Sequence, residues 1–519
     1  MIRLPAQAVS RRGLIQGAGA LGAAALILPA GMRPAVAQPK SGGTLRIGIG
    51  HGNTSDSFDP AILEHLYIQT VSVARSNMLT EIDAGGQLIP ELATGWESGD
   101  ATTWVFAIRQ GVTFHSGKDL TPDDVVASIN YHRGEGSTSA AKPLVEQIAD
   151  IRADGQNVIF TLTAANADFP FIMSDYHLPI LPSTDGSIDP LTSDGTGGYV
   201  VQSFEPGVQA IMTRNPNYWK EGRAHADQVE LVVILDAAAR LNALMTGAVD
   251  AIEQVDPATV PMLESRGGNR VLSIAGTAHY VFPMDARAAP FSDNNVRLAL
   301  KYAIDRQELV DKILNGHGSV GNDHPISPAN RFYDASLEQK AYDPDKARFY
   351  LKEAGLDSLD VTLTVANAAF SGAVDAAVLY SERAAAAGIN ITVDRAPDDG
   401  YWDNVWMKAP FCASYWGGRP TEDQAFTIAY ASAAPWNESF WEHERFNQLL
   451  VEARSELDEG KRAEMYSEMQ RILSDEGATV IPMYNNYVMA LRDNVGTPET
   501  VAANWGLDGQ RAPERWWIV

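Results

Sequence analysis

Strand-like and helix-like segments take turns along this chain, and that alternation narrows the possible folds more than any other feature. Thr44 to Ile49 alternates as a strand, Thr102 to Ile108 and Val158 to Leu162 read as strands, and Val229 to Leu235 forms an apolar, β-branched run. The predicted helices carry start and stop signals. Thr121-Pro122-Asp123-Asp124 opens one: Thr121 caps it, Pro122 fits the first turn, and the acids suit the positive end. Leu241 to Met245 reads as helical and stops at Gly247, and Val296 to Leu314 reads as one long helix that stops at Gly316. Another helix starts at Asp343-Pro344 and ends at Gly355. Val361 to Val365 and Ile389 to Val393 read as strands flanking an Ala-rich helix. Lys461 to Leu473 reads as an amphipathic helix, and Val480 to Leu491 as a strand returning to the first block. Internal repeats and low-complexity tracts are absent. At 519 residues the pattern implies an α/β protein of two or three lobes.

The N-terminus predicts export. Arg11-Arg12 precedes a Gly- and Ala-rich apolar run, Leu14 to Leu28, and Ala35-Val36-Ala37 supplies a small-residue cleavage site. The run is too short and too weakly apolar for a good membrane span, and the paired arginines give it the look of a twin-arginine signal. This leader holds four arginines and no acid, so its removal makes the net charge of −25 more negative by four. Such an acidic chain is a poor partner for nucleic acid, whose phosphates require a basic surface. The only cysteine, Cys412, lies far from the leader. It excludes an internal disulfide and a lipidated N-terminal cysteine, and its apolar surroundings suit a core residue. The mature protein is expected to be soluble and periplasmic, beginning at Gln38.

Motifs for catalysis are missing. Gly-x-Ser-x-Gly and a P-loop do not occur, and His443-Glu444 begins a zincin-like pattern whose second histidine position holds Asn447. The ten histidines are scattered without metal-ligand spacing, so neither metal nor cofactor is expected. A secreted hydrolase is the main competing class, and a chemoreceptor-partner or chaperone-like binding protein is a third.

Several segments in order resemble the peptide- and nickel-binding family of periplasmic solute-binding proteins: Pro90 to Glu97 (PELATGWE), Gly111 to Ile129, Gly195 to Val200, Arg214 to Trp219 (RNPNYW), Ala243 to Glu253, Pro290 to Val310 and Tyr342 to Gly355. The resemblance implies the two-lobed periplasmic binding protein fold, with two chain crossings at the hinge and an extra subdomain in the first lobe. It implies residues 61–196 as that subdomain, 41–60, 197–275 and 487–519 as the rest of the first lobe, and 276–486 as the second. The crossings fall near 276–284 and 480–488. It further implies a non-enzymatic monomer that captures a peptide or other small polar solute for an ABC permease and ATPase.

Ligand contacts follow from the same resemblance. The family's Trp-x-x-Asp segment, whose Asp pairs with a peptide's α-ammonium, reads here Trp416-Gly417-Gly418-Arg419. A guanidinium repels an ammonium and suits a carboxylate or similar oxyanion. Arg419 therefore either meets an anion on the solute or is neutralised by Glu422 or Asp423. Tyr415, Trp416 and Trp402 are candidate aromatic walls. Asn53 and Asp56 follow the first strand, His279 and Tyr280 lie at one crossing, and Tyr484 and Asn486 lie at the other.

Overall fold

The computed structural model describes residues 39–432 and 434–519; the predicted export signal lies outside them. A nine-stranded mixed sheet organises the chain. Thr44–Ile49 sits inside it, parallel to Gln228–Val233 on one side and to Ala251–Ile252 on the other. Tyr199–Glu205 and Gln209–Arg214 extend the first side as an antiparallel hairpin. On the second side run two long antiparallel strands, Asn269–Pro283 and Thr479–Arg492.

These two strands tie the first half of the molecule to the second. Asn269 to Ala275 pairs with Asn486 to Arg492 beside Ala251–Ile252. His279 to Pro283 pairs with Thr479 to Tyr484 beside Ser414–Trp416 and Gly318–Val320. The ladder loses register between Ala275 and His279. Gly276 lies in the break, where a Cβ would come 3.0 Å from the Tyr487 ring and 3.2 Å from the Asn485 carbonyl, so a larger residue would push the strands apart.

Separate apolar cores flank this double crossing. One packs Leu45, Ile47, Tyr199 and Trp516 under the sheet. A second belongs to a four-stranded antiparallel sheet (Ala93–Glu97, Thr103–Ile108, Asn157–Leu162, Ile148–Asp154) and centres on Phe106, Phe160 and Phe169. Beyond the crossing, Leu300, Leu363, Tyr380 and Cys412 share a core around the parallel pair Leu359–Val365 and Ile389–Arg395. Phe426, Phe446, Tyr466 and Met469 form another.

Helix signals in the sequence translate into geometry. Asp124 accepts the Thr121 N–H at 2.9 Å as helix Pro122–Tyr131 begins, and Asp343 caps Pro344–Glu353 by accepting from Lys346 N at 2.8 Å. Gly247 ends Ala237–Thr246 in the left-handed region at φ 78°. The long helix expected over Val296 to Leu314 is instead two, Asn294–Tyr302 and Arg306–Lys312. Asp305 breaks it: its side chain accepts from Glu308 N at 3.0 Å and starts a new helix, a local bond that competes with helix continuation.

Candidate functional site

The register break in the crossing strands opens a seam, and the segment after Ser414–Trp416 runs along it. Trp416 lies opposite His279 in the antiparallel pair, so the two share one face, while Tyr415 and Tyr280 share the other. On the first face, Trp416, Gly417, Arg419 and His279 join Thr277, Asn330 and Tyr430 around a narrow cavity of about 10 Å³, room for a single water-sized group. Arg419 also lines a larger cavity of about 310 Å³. Its walls come from Ile82 and Ala84 to Gly86, the crossing strand at Ile274, Ala275 and Thr277, Pro328 to Arg331, Pro420, and Ala503-Asn504. That volume lies at the small end of ligand pockets.

Arg419 is the electrostatic centre of this space. Its Nη1 donates to the carbonyls of Gly417 at 3.1 Å and Gly418 at 3.0 Å. Neither neighbouring acid reaches it. Glu422 accepts from Phe332 N at 2.7 Å, and Asp423 pairs with Arg454 at 3.0 Å. Among the described residues no carboxylate lies within ion-pair distance of Arg419. Burial lowers its pKa, and the nearby Tyr176 and Tyr487 hydroxyls act in the opposite direction. His279, buried and close to the same guanidinium, is depressed to about 4, chiefly by desolvation, and is therefore neutral at physiological pH. The buried Thr277 Oγ1 and Asn504 Oδ1, both on residues lining the larger cavity, have no hydrogen-bond partner. The larger cavity thus offers, in Arg419, a guanidinium without a carboxylate partner, together with neutral polar groups, an arrangement suited to an oxyanion, while the Trp416 indole lines only the narrow cavity beside it.

Trp416 is fixed by Glu438, whose carboxylate accepts its Nε1 at 2.8 Å and that of Trp406 at 2.6 Å. Other sequence-predicted site residues lie elsewhere. Tyr280 stacks on Phe370 with centroids 4.1 Å apart, and exposed Tyr415 packs edge-on against Trp402 at 5.6 Å. The strand period of two places this group on the face opposite Arg419. Tyr484 is buried and donates to His324 O at 2.6 Å; Asn486 donates to Ser273 Oγ at 2.8 Å, bracing the crossing. Asp56 holds its own loop, accepting from Asn53 N at 2.7 Å and meeting His65 Nδ1 at 2.9 Å. Asn53 Oδ1 accepts from Ser55 N at 3.0 Å. Neither Asn53 nor Asp56 lines either cavity. The sequence reading missed Thr277, Asn330, Tyr176 and Asn504. Thr277 was the findable one, since it stands two residues before His279 at the same crossing and lines the same narrow cavity.

Comparison with known proteins agrees with this architecture. Di/tripeptide-binding protein 1 of Pseudomonas aeruginosa is 26% identical over 452 residues, covering 77% of this chain and 81% of that protein. Among solved structures, the periplasmic binding protein DppA from Helicobacter pylori in complex with the peptide STSA has a TM-score of 0.71 at 22% identity, covering 92% of this chain and 98% of that one. AgaA from A. tumefaciens R10 in complex with agropinic acid also scores 0.71 at 22% identity, covering 92% and 99%. These structures give the fold, two α/β lobes of a periplasmic binding protein. The family model matches residues 87–438, more than half of the sequence, and the chain belongs to the bacterial extracellular solute-binding proteins, family 5.

Proposed function

We propose that this solute-binding protein works in the periplasm as the capture component of an ABC importer, and that its solute presents a carboxylate or similar oxyanion to Arg419. The observation that carries the reading is a partly buried guanidinium that lines the cavity with only its own segment's carbonyls for partners. A partly desolvated charge without a carboxylate beside it favours an anion as its partner. A free α-ammonium finds no such partner at this position. Its relatives include dipeptide- and di/tripeptide-binding proteins, and a peptide bound here would meet Arg419 with a carboxylate. Small acidic solutes and acid-terminated peptide derivatives fit the charge and the volume of about 310 Å³.

In this reading the lobes divide as 41–60, 197–275 and 487–519 with the subdomain 61–196, against 276–486, and they close about the two crossings. Delivery is to a membrane permease and its ATPase, and no helix among the described residues is long and apolar enough to cross a membrane itself. Native mass spectrometry of protein purified from its own host tests the proposal. A retained solute bearing an oxyanion is expected, and its addition to solute-free protein compacts the particle in solution scattering. A retained solute that is a cation without an acidic group refutes it.

A further inference from the structure

A second charged constellation lies beside the solute cavity and joins two of the cores. Asp168 precedes Phe169, a residue of the core around the four-stranded sheet. Its partners belong to the core of Phe332 and Tyr466 on the far side of the crossing. Asp168 Oδ1 accepts from Arg331 at 2.8 Å and Oδ2 from Arg462 at 2.6 Å, with Asp168 and Arg462 both buried. The backbone adds a bond next door, Ala167 N to Arg454 O at 2.7 Å. The Arg331 guanidinium also lies over the Phe171 ring at 4.5 Å and over Phe332 at 4.2 Å, one ring from each side. Arg331 lines the cavity that holds Arg419, and Arg454 pairs with Asp423, four residues after Arg419.

We propose that Asp168, Arg331 and Arg462 form an interlobe latch that favours the closed cleft independently of the solute. An ion pair inside a single core stabilises that core whatever the lobes do. This carboxylate and its two guanidiniums come from opposite sides of the crossing, so opening must separate them or carry them into water. One carboxylate facing two guanidiniums has both oxygens engaged, which fixes the approach geometry of the two lobes. Arg331 serves as a positioning residue: by holding Asp168 it brings one wall of the solute cavity against the other. The latch rests on the two-lobed closure, not on the role of Arg419.

Solute-free protein, verified by native mass spectrometry, provides the test. Cysteines replacing exposed Asp154 and Glu353 carry a dye pair across the cleft; Cys412 is buried with its thiol pKa pushed up, so it does not compete for label. The wild type is expected to populate a compact state. Asp168→Asn and Arg462→Gln each lower the compact-to-extended ratio about tenfold or more, and scattering shows a larger radius of gyration. If Asp168→Asn does not fold, Arg331→Gln, which leaves the Asp168–Arg462 pair, reads the same ratio. A wild type that is wholly extended without solute overturns the latch. So do variants that melt at lower temperature with the wild-type distance distribution. Loss of solute binding in Arg419→Ala with a normal distance distribution bears on the solute reading alone.

Discussion

Arg419→Ala separates a solute contact from a scaffold role because the two predict opposite effects on the empty protein. The guanidinium has five N–H donors, and the two carbonyl contacts both come from Nη1. Enough donors remain for a carboxylate to bind through two of them. A hydrogen bond to a charged group contributes about 1.5–3 kcal/mol, and truncating one partner of a desolvated charge pair costs about 2–5 kcal/mol. Calorimetry with the identified solute should therefore show affinity falling about 30-fold to several thousandfold. Arg419→Lys keeps the charge but loses the planar fork and should recover only part of that. Without solute, Arg419 has no acid to lose and burial opposes its charge. The alanine variant should melt at the wild-type temperature or above it. Unchanged affinity, or a solute-free variant destabilised by several kcal/mol, refutes the reasoning and makes Arg419 part of the scaffold.

Three further outcomes are expected. Gly418→Ala places a Cβ 2.0 Å from Thr277 Oγ1 and 3.2 Å from Thr277 Cβ; it should cost about 1–3 kcal/mol of stability in denaturant melts and weaken solute binding, with Thr277→Ala restoring part of both. Glu253 is buried against Gly50 N at 2.6 Å, and burial raises its carboxyl from 4.5 to about 7. Between those values the folded state keeps a proton that the unfolded chain releases, so this group's contribution falls as pH rises from 4.5 to about 7, by up to about 3 kcal/mol. The difference between wild type and Glu253→Gln across that window isolates it from His279 and His324, both depressed to about 4, whose slopes run the other way; a pH-independent difference would sink the assignment. The mature periplasmic chain should begin at Gln38 by intact mass, and replacing Arg11 and Arg12 with lysine should stop twin-arginine export; unchanged export means the general secretory route suffices.

The sequence by itself was enough for the alternating α/β architecture, for the helix signals at Thr121, Gly247 and Asp343, and for singling out Arg419 as a candidate contact. Those features are local: a cap, a stop glycine and a strand period depend on residues within a few positions of one another. It also raised the question at Arg419 without answering it, because Glu422 and Asp423 stand close enough in the chain to neutralise it. Only the tertiary structure turned Glu422 to the Phe332 backbone and Asp423 to Arg454, leaving the guanidinium to the cavity. The pairing of His279 with Trp416 likewise sorted the aromatic residues between two faces, drawing Tyr280, Tyr415 and Trp402 away from the cation. Asp168 meets Arg331 and Arg462 across separations of 163 and 294 residues. Which charges meet at such range is decided by how cores pack around a double crossing, and no periodicity in the chain encodes it.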